Sequence, residues 1–427
     1  MTKDNVIAFK NPETSVTEFT TDILTDLARQ GAIQMLAKGI ELEVRAFIEQ
    51  NQSTLSNGHN KLIRNGYLPE RTIQTGIGEL PVQVPRVRDK NGELKFISSI
   101  IPPYMKRSVS MEQLLPLLYL KGISTGDFQE VLTPILGEQA KNLSPGVISR
   151  LKAEWETEYQ TWSKSDLSRK HYVYWWADGI YLNARMEDAS SCVLVIIGVT
   201  DKGEKELIAI EDGLRESKES WSNLLLAIKS RGLKITPKLA TGDGAMGFWA
   251  ALSEQFPDTK HQRCWFHKSG NVLDKLPKSS RAKAKSMLHD IWMAESKSNA
   301  IDAMNLFKSM YGDKYPAAVE CLFKDQDELL EFYNYPAIHW QHIRTTNPIE
   351  STFSTVRHRT KRSKGAFSRT TILTMVFKLC KNAQETSWNR IRGFDRLAEV
   401  IEGVKFTNGL TEAETKKLQL KVDRNAA

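Results

Sequence analysis

Three acidic residues, Asp178, Asp243 and Glu350, stand in contexts suited to holding metal ions. Asp178 closes the apolar and aromatic run Tyr172-Val173-Tyr174-Trp175-Trp176-Ala177 and is followed by Gly179, which reads as a carboxylate at the end of a buried strand. Asp243 repeats the pattern after Lys238-Leu239-Ala240-Thr241, between Gly242 and Gly244. Glu350 follows Thr346-Asn347-Pro348-Ile349, where a cap residue and a proline mark a helix start and put the carboxylate in its first turn. Taken singly, each is also an ordinary strand-end or helix-cap acid. Hard divalent cations take oxygen ligands and one or two carboxylates apiece. Three carboxylates on rigid elements therefore suit two ions around a phosphate, activating the attacking oxygen and stabilising the leaving one.

The cations follow the same direction. Between Arg357 and Arg369 lie Arg357, Arg359, Lys361, Arg362, Lys364 and Arg369, with no acid among them. Such a run draws phosphate backbones by Coulomb attraction and counterion release. Arg357 falls two helical turns beyond Glu350, on about the same face, where it suits a phosphate; the alternative is a surface ion pair.

At 427 residues and 41% hydrophobic content, the chain is long enough for two to four domains with filled cores. No apolar run is long enough to span a membrane and the N-terminus lacks a signal-peptide layout, so a soluble, intracellular protein is expected, with no membrane partner. Cys192, Cys264, Cys321 and Cys380 are far apart without a CxxC pair, which argues against a disulfide framework. The net charge of +8 is unevenly spread, which suits nucleic acid.

Elements that would position the acids can be read along the chain. Residues 1–60 have helical spacing (Ile33, Leu36, Ile40, Val44, Phe47), and 61–108 form a small basic β element in which apolar residues alternate from Arg71 to Lys90. Residues 109–165 read as three helices in a helix-turn-helix-like module, whose last helix, after Ser144-Pro145, offers Arg150 and Lys152 to DNA; any small helical bundle gives the same punctuation. From 166 to 267 strands are expected over Tyr172–Ala177, Ile180–Arg185, Ser191–Thr200, Glu204–Glu211, Lys238–Thr241 and His261–Trp265, with helices over Ser220–Arg231 and Ala245–Phe256. That order makes a mixed sheet flanked by helices. Residues 268–342 turn helical, 343–395 return to the sheet with the basic helix, and 396–427 form a tail.

These residues resemble the mutator-type DDE transposases of bacterial insertion sequences, the IS256 family. The likeness runs from about Arg64 to Phe394: Arg64-Asn65-Gly66-Tyr67 to Pro85-Arg86, Ala177-Asp178-Gly179-Ile180-Tyr181, Thr241-Gly242-Asp243-Gly244, Cys264-Trp265-Phe266-His267, and Asn347-Pro348-Ile349-Glu350-Ser351 with Arg357 and Arg359-Thr360. It implies a multidomain α+β chain with a ribonuclease-H-like mixed-sheet catalytic core, interrupted by an all-α insertion and preceded by helical and small β DNA-binding modules. It assigns Asp178, Asp243 and Glu350 as the catalytic, metal-binding triad, with two Mg²⁺ per site or Mn²⁺ in their place. The expected activity is cleavage at terminal inverted repeats and transfer to target DNA, by a homodimer on DNA. A ribonuclease-H-like nuclease without strand transfer and a catalytically silent DNA-binding repressor are the alternatives.

Cys264 and His267 form the CxxH signature, for which a packing or hydrogen-bonding role is expected rather than zinc with His261. A helix start at Trp265 would be needed to bring them together. Trp265 itself suits either the core or a flipped base.

Overall fold

The computed structural model of the chain describes residues 23–51, 60–120, 123, 127–136, 145–182, 191–213, 215–244, 247–363 and 368–426. Its contacts divide it into two units, one drawn from 1–119 and 123–145, the other from 120–122 and 146–427.

In the first unit the helical spacing near the N-terminus becomes α1 (Ile23–Asn51), which buries Ile40 and Val44, one turn apart. Four short strands follow: β1 (Leu62–Tyr67), β2 (Arg71–Thr75), β3 (Gly78–Val82) and β4 (Pro85–Asp89). β2 and β3 form an antiparallel hairpin, and β1 pairs antiparallel with β4. Ile73, Val82, Val84 and Ile101 pack with Ile40 in one apolar cluster, while Arg86 and Arg88 of β4 remain exposed. The unit also contains α2 (Val109–Leu120) and α3 (Phe128–Leu136).

The second unit begins with α4 (Pro145–Trp162), which differs from the sequence expectation for 109–165. Those three helices do not share one unit. α4 buries Trp155 and Tyr159, the Tyr159 hydroxyl donates to the Ile210 carbonyl at 3.0 Å, and Trp162 stacks on Phe377 at 4.9 Å, all within the second unit. Gly and Pro punctuation marks where helices stop, but only distant apolar partners decide where each one docks. Arg150 is exposed and Lys152 half-buried on α4.

Five strands make the sheet: β5 (Tyr172–Leu182), β6 (Ser191–Thr200), β7 (Lys205–Gly213), then after α5 (Lys218–Ser230) β8 (Leu239–Gly242), and after α6 (Phe248–Gln255) β9 (Lys260–Arg263). Their order is β7-β6-β5-β8-β9, antiparallel from β7 to β5 and parallel from β5 to β9. β5 is central, which explains its unbroken apolar run: both its faces are covered. Trp175 and Ala177 point to one side and join the cluster built from Trp221, Leu225, Phe248 and Leu252 of α5 and α6. Tyr174 and Trp176 point to the other, where Tyr174 Oη bonds His339 Nδ1 at 2.8 Å and Trp176 Nε1 donates to the His342 carbonyl at 3.0 Å.

From Trp265 to Ile343 the chain is helical: α7 (Trp265–Asp274), α8 (Lys278–Trp292), α9 (Lys297–Tyr311), α10 (Pro316–Phe323), α11 (Gln326–Leu329), two short 3₁₀ turns and α12 (Trp340–Ile343). α13 (Asn347–Ser363) then packs on β5 and α14 (Arg369–Thr386) on β7. α15 (Leu397–Glu402), the two-residue pair β10 (Phe406–Thr407) and β11 (Leu410–Thr411), and α16 (Glu412–Ala426) close the unit. Among the described residues no helix is long and apolar enough to cross a membrane.

Candidate active site

The three acids approach one end of the sheet. Asp178 is not at a strand end as its Asp-Gly context suggested: β5 runs on through it to Leu182, paired with Val195 of β6 at that position. The parallel partner stops earlier, since the last β5–β8 pair is Trp176 with Thr241. Among the described residues no strand pairs with β5 on that side beyond it, and Asp243, just past the end of β8, borders the same cleft as Asp178. Clefts at the carboxyl ends of parallel strands, where the strand order turns, are the usual ligand sites of such sheets. Pro348 starts α13 and leaves Glu350 in its first turn, as its sequence context indicated.

Asp178, Gly179, Tyr181, Arg215, Glu216, Asp243, His267, Glu350 and Arg357 border a cleft of about 620 Å³. Asp178 is only 5% exposed; its Oδ1 accepts from the Gly179 amide at 2.9 Å, and its Oδ2 is buried without a hydrogen-bond partner. Glu350 Oε1 lies 3.1 Å from His267 Nε2, and Glu350 Oε2 accepts from Arg357 at 3.2 Å. One ligand atom each from Asp178, His267 and Glu350 fall within 4.8 Å of one another, the geometry of a cation site. Asp243 borders the same cleft outside that trio; its side chain accepts from the Gly244 amide, and its carbonyl accepts from Trp249 Nε1 at 2.6 Å.

Burial dominates the electrostatics of Asp178 and, with the nearby Glu350 charge, pushes its carboxyl up to about 8 against the pull of His267. The hydrogen bond from His267, helped by Arg357, holds Glu350 down to about 2 despite its burial. Burial also opposes a charged His267, yet hydrogen bonds to Cys264 and Glu350 and the neighbouring Asp178 outweigh it and push the ring up to about 11. The cleft thus pairs a cationic imidazole with an ionised glutamate beside an aspartate that resists ionising.

The CxxH residues explain how Glu350 is aimed. Helix α7 starts at Trp265, so Cys264 and His267 share its first turn. Cys264 Sγ accepts from the Thr346 amide at 3.3 Å, and the Trp265 amide donates to the Arg344 carbonyl at 3.0 Å. The start of α7 is therefore stapled to the start of α13, with His267 reaching the acid that α13 carries. His261 stands apart, its ring against Trp249 at 4.8 Å. Trp265 is fully buried, its Nε1 donating to the Leu329 carbonyl at 2.8 Å, which makes it core and removes the base-holding alternative. Arg359, Lys361 and Arg362 continue α13, and Lys364 lies outside the described residues.

The family model for "Transposase, Mutator family" matches residues 3–390. The chain belongs to the Mutator family of transposases. Two relatives are 49% identical: the transposase of insertion sequence element IST2 from Acidithiobacillus ferrooxidans, over 66% of this chain and 95% of that one, and that of IS6120 from Mycolicibacterium smegmatis, over 70% and 92%. The transposase of IS256 in transposon Tn4001 from Staphylococcus aureus is 28% identical over 70% of this chain and 75% of its own. The Mutator match takes in all three acids and the CxxH pair, and it extends well before Arg64, where recognisable motifs began.

An acid of this Mutator transposase's cleft, Glu216, stands outside every motif. Glu216 reaches it from the turn between β7 and α5, and burial and the neighbouring Asp243 push its carboxyl up to about 6. In the sequence it is an acid just ahead of a helix cap, indistinguishable from Glu219, which is exposed in the first turn of α5.

Proposed function

We propose that this chain binds the terminal inverted repeats of its own mobile element, cuts the DNA there and joins the freed 3′ ends to target DNA, using Asp178, Asp243 and Glu350 as the acids of a ribonuclease-H-like core. One observation carries the reading: the Asp178 Oδ2 is buried without a partner in a cleft that also holds Glu350 and Asp243. A carboxyl buried in that state stays protonated or costs free energy when it ionises, unless a cation meets it. The donors are hard oxygens, which fit Mg²⁺ and, in its place, Mn²⁺. Two such ions would activate the attacking oxygen and stabilise the leaving one during in-line displacement at phosphorus.

The remaining work falls to the chain's own groups. Asp178 lies within one strand of the sheet and Asp243 directly after its parallel neighbour, so their separation is set by backbone pairing rather than by flexible loops. Glu350 is steered by His267 and Arg357, which hold one oxygen each. Arg357 is half-exposed and offers a guanidinium to a phosphate oxygen of the bound strand. Arg359, Lys361, Arg362 and Lys364 extend the positive charge along the same stretch of sequence, and Arg150 and Lys152 of α4 are further cations for DNA. Two element ends have to meet for transfer, so the active species on DNA is a homodimer.

Asp178→Asn, Asp243→Asn and Glu350→Gln, made singly, should each lower cleavage and joining by at least about a thousandfold in Mg²⁺ or Mn²⁺ while leaving binding to end-sequence DNA intact. Cleavage retained in any of them removes that acid from the site. Joining of a pre-cut 3′-OH end to target DNA separates a transposase from a nuclease that only hydrolyses. Charge reversal at Arg359 and Lys361 should weaken DNA binding and flatten its salt dependence.

A further inference from the structure

Glu216 is held in the cleft more deliberately than a surface acid needs to be. Its amide donates to the Tyr181 hydroxyl of β5 at 3.3 Å, and its carbonyl accepts from the Gly247 amide, in the segment following Asp243, at 3.0 Å. The next residue, Ser217, caps α5 by accepting from the Ser220 amide at 3.2 Å. The turn is therefore pinned from the strand that carries Asp178, from the segment after Asp243 and from its own helix.

Two glycines clear room for it. A Cβ at Gly179, the residue after Asp178, would come within 2.1 Å of Glu216 Oε1. A Cβ at Gly247 would come within 2.1 Å of the Lys218 amide nitrogen. The Glu216 carboxylate thus occupies the space beside Asp178 that a side chain at position 179 would have filled.

Charge in the cleft is unevenly divided. His267 and Arg357 both pair with Glu350, while Arg215 is exposed. Asp178 lies with His267 and Glu350, its Oδ2 buried and unpartnered, while Asp243 and Glu216 border the same cleft close enough for Asp243 to raise the Glu216 carboxyl. Divalent cations of this kind take one or two carboxylates apiece, so two ions in this cleft have room for a fourth beside Asp178, Asp243 and Glu350.

We infer that Glu216 is a fourth carboxylate ligand of the divalent-cation site, acting on the Asp243 side of the cleft. The inference rests on reading the cleft as a cation site, and its test keeps the two apart. Mn²⁺ is titrated into the full-length protein without DNA, with binding followed by calorimetry and by the metal-induced rise in melting midpoint. Glu216→Gln should weaken Mn²⁺ binding at least tenfold or remove one ion from the stoichiometry. Its midpoint without metal should be unchanged or higher, because a repelled carboxylate has been neutralised. Glu216→Asp should recover part of the binding. Asp178→Asn should abolish it. Wild-type Mn²⁺ binding in Glu216→Gln, alongside loss in Asp178→Asn, overturns the fourth ligand and leaves the triad standing. A lowered metal-free midpoint in Glu216→Gln assigns the residue to the fold and overturns the inference too. Wild-type binding in Asp178→Asn sinks the cation reading of the cleft, and the inference with it.

Discussion

Gly179 and Gly247 both lack a side chain for reasons of space, yet the atoms that claim that space differ, and so should the consequences of filling it. Around Gly179 the nearest atoms all belong to the end of the Glu216 side chain, which can swing away. Gly179→Ala should therefore leave stability within about 1 kcal/mol of the wild type, since Ala is no worse than Gly in a strand, while expelling Glu216 and weakening Mn²⁺ binding as Glu216→Gln does. Calorimetric titration of the Ala variant checks this, and unaltered binding would show that Glu216 is not needed where it stands. Around Gly247 the nearest atoms are the backbone of Ser217 and Lys218, which cannot give way without moving the start of α5. Gly247→Ala should cost about 2 kcal/mol or more, in the range of overpacked sites, seen as a lower denaturation midpoint with or without metal.

At the scale of elements, a buried ionic cluster holds the helical stretch to the sheet. Lys268 of α7 is 6% exposed and donates to the Cys321 carbonyl at 2.9 Å and to Asp325, the residue before α11; Arg263 of β9 lies 3.9 Å from the same carboxylate. Asp325→Ala would leave two largely buried cations facing each other, and removing one partner of a buried pair costs about 3–5 kcal/mol. Chemical denaturation should show a loss of that size, partly restored when Lys268→Met is added. Across the sheet, α12 is fixed by neutral imidazoles. His342 Nε2 accepts from the Arg392 amide at 3.0 Å, and burial, with Lys205 nearby, pushes the ring down to about 4. An unfolded histidine takes up its proton near 6.5, so between 6.5 and 4 the unfolded state binds more protons and stability falls as pH falls. From pH 7 to 5 this should remove at most about 2 kcal/mol, and His342→Gln should flatten that part of the profile. How far these elements could be read in advance depends on range. β6 was readable residue for residue, because ten apolar-rich positions end in an Asp-Lys-Gly turn. The proline start of α13 was readable for the same local reason. The run of β5 through Asp178-Gly179 was not, since Asp-Gly is a turn signal that only pairing with β6 overrides. Glu216 is invisible in the sequence because the glycines that admit it are distant along the chain, and local punctuation groups α4 with α2 and α3 because its partners Ile210 and Phe377 lie far from it.

Taken whole, the molecule keeps its acidic cleft and one of its basic surfaces in different units. The unit beginning at residue 146 contains Asp178, Glu216, Asp243, His267 and Glu350, both helical layers around the sheet and the large apolar cluster behind Trp175. The other unit has its own cluster around Ile40, with Arg86 and Arg88 exposed on β4. A unit with its own core can fold alone. Residues 146–427 made as a separate protein should therefore melt in one cooperative transition and bind Mn²⁺ as the full chain does, because nothing in the acidic cleft is left behind. DNA binding should behave otherwise. Every phosphate that the first unit neutralises in the full chain adds to counterion release, so the fall of affinity with salt should be shallower for 146–427. Discrimination between end-sequence and unrelated DNA should shrink with it if β4 and its neighbours read the ends. Titrations of both proteins with both DNAs across a salt series measure slope and discrimination together. Equal slopes would confine the DNA surface to the second unit and leave the basic strands of the first without a role in binding.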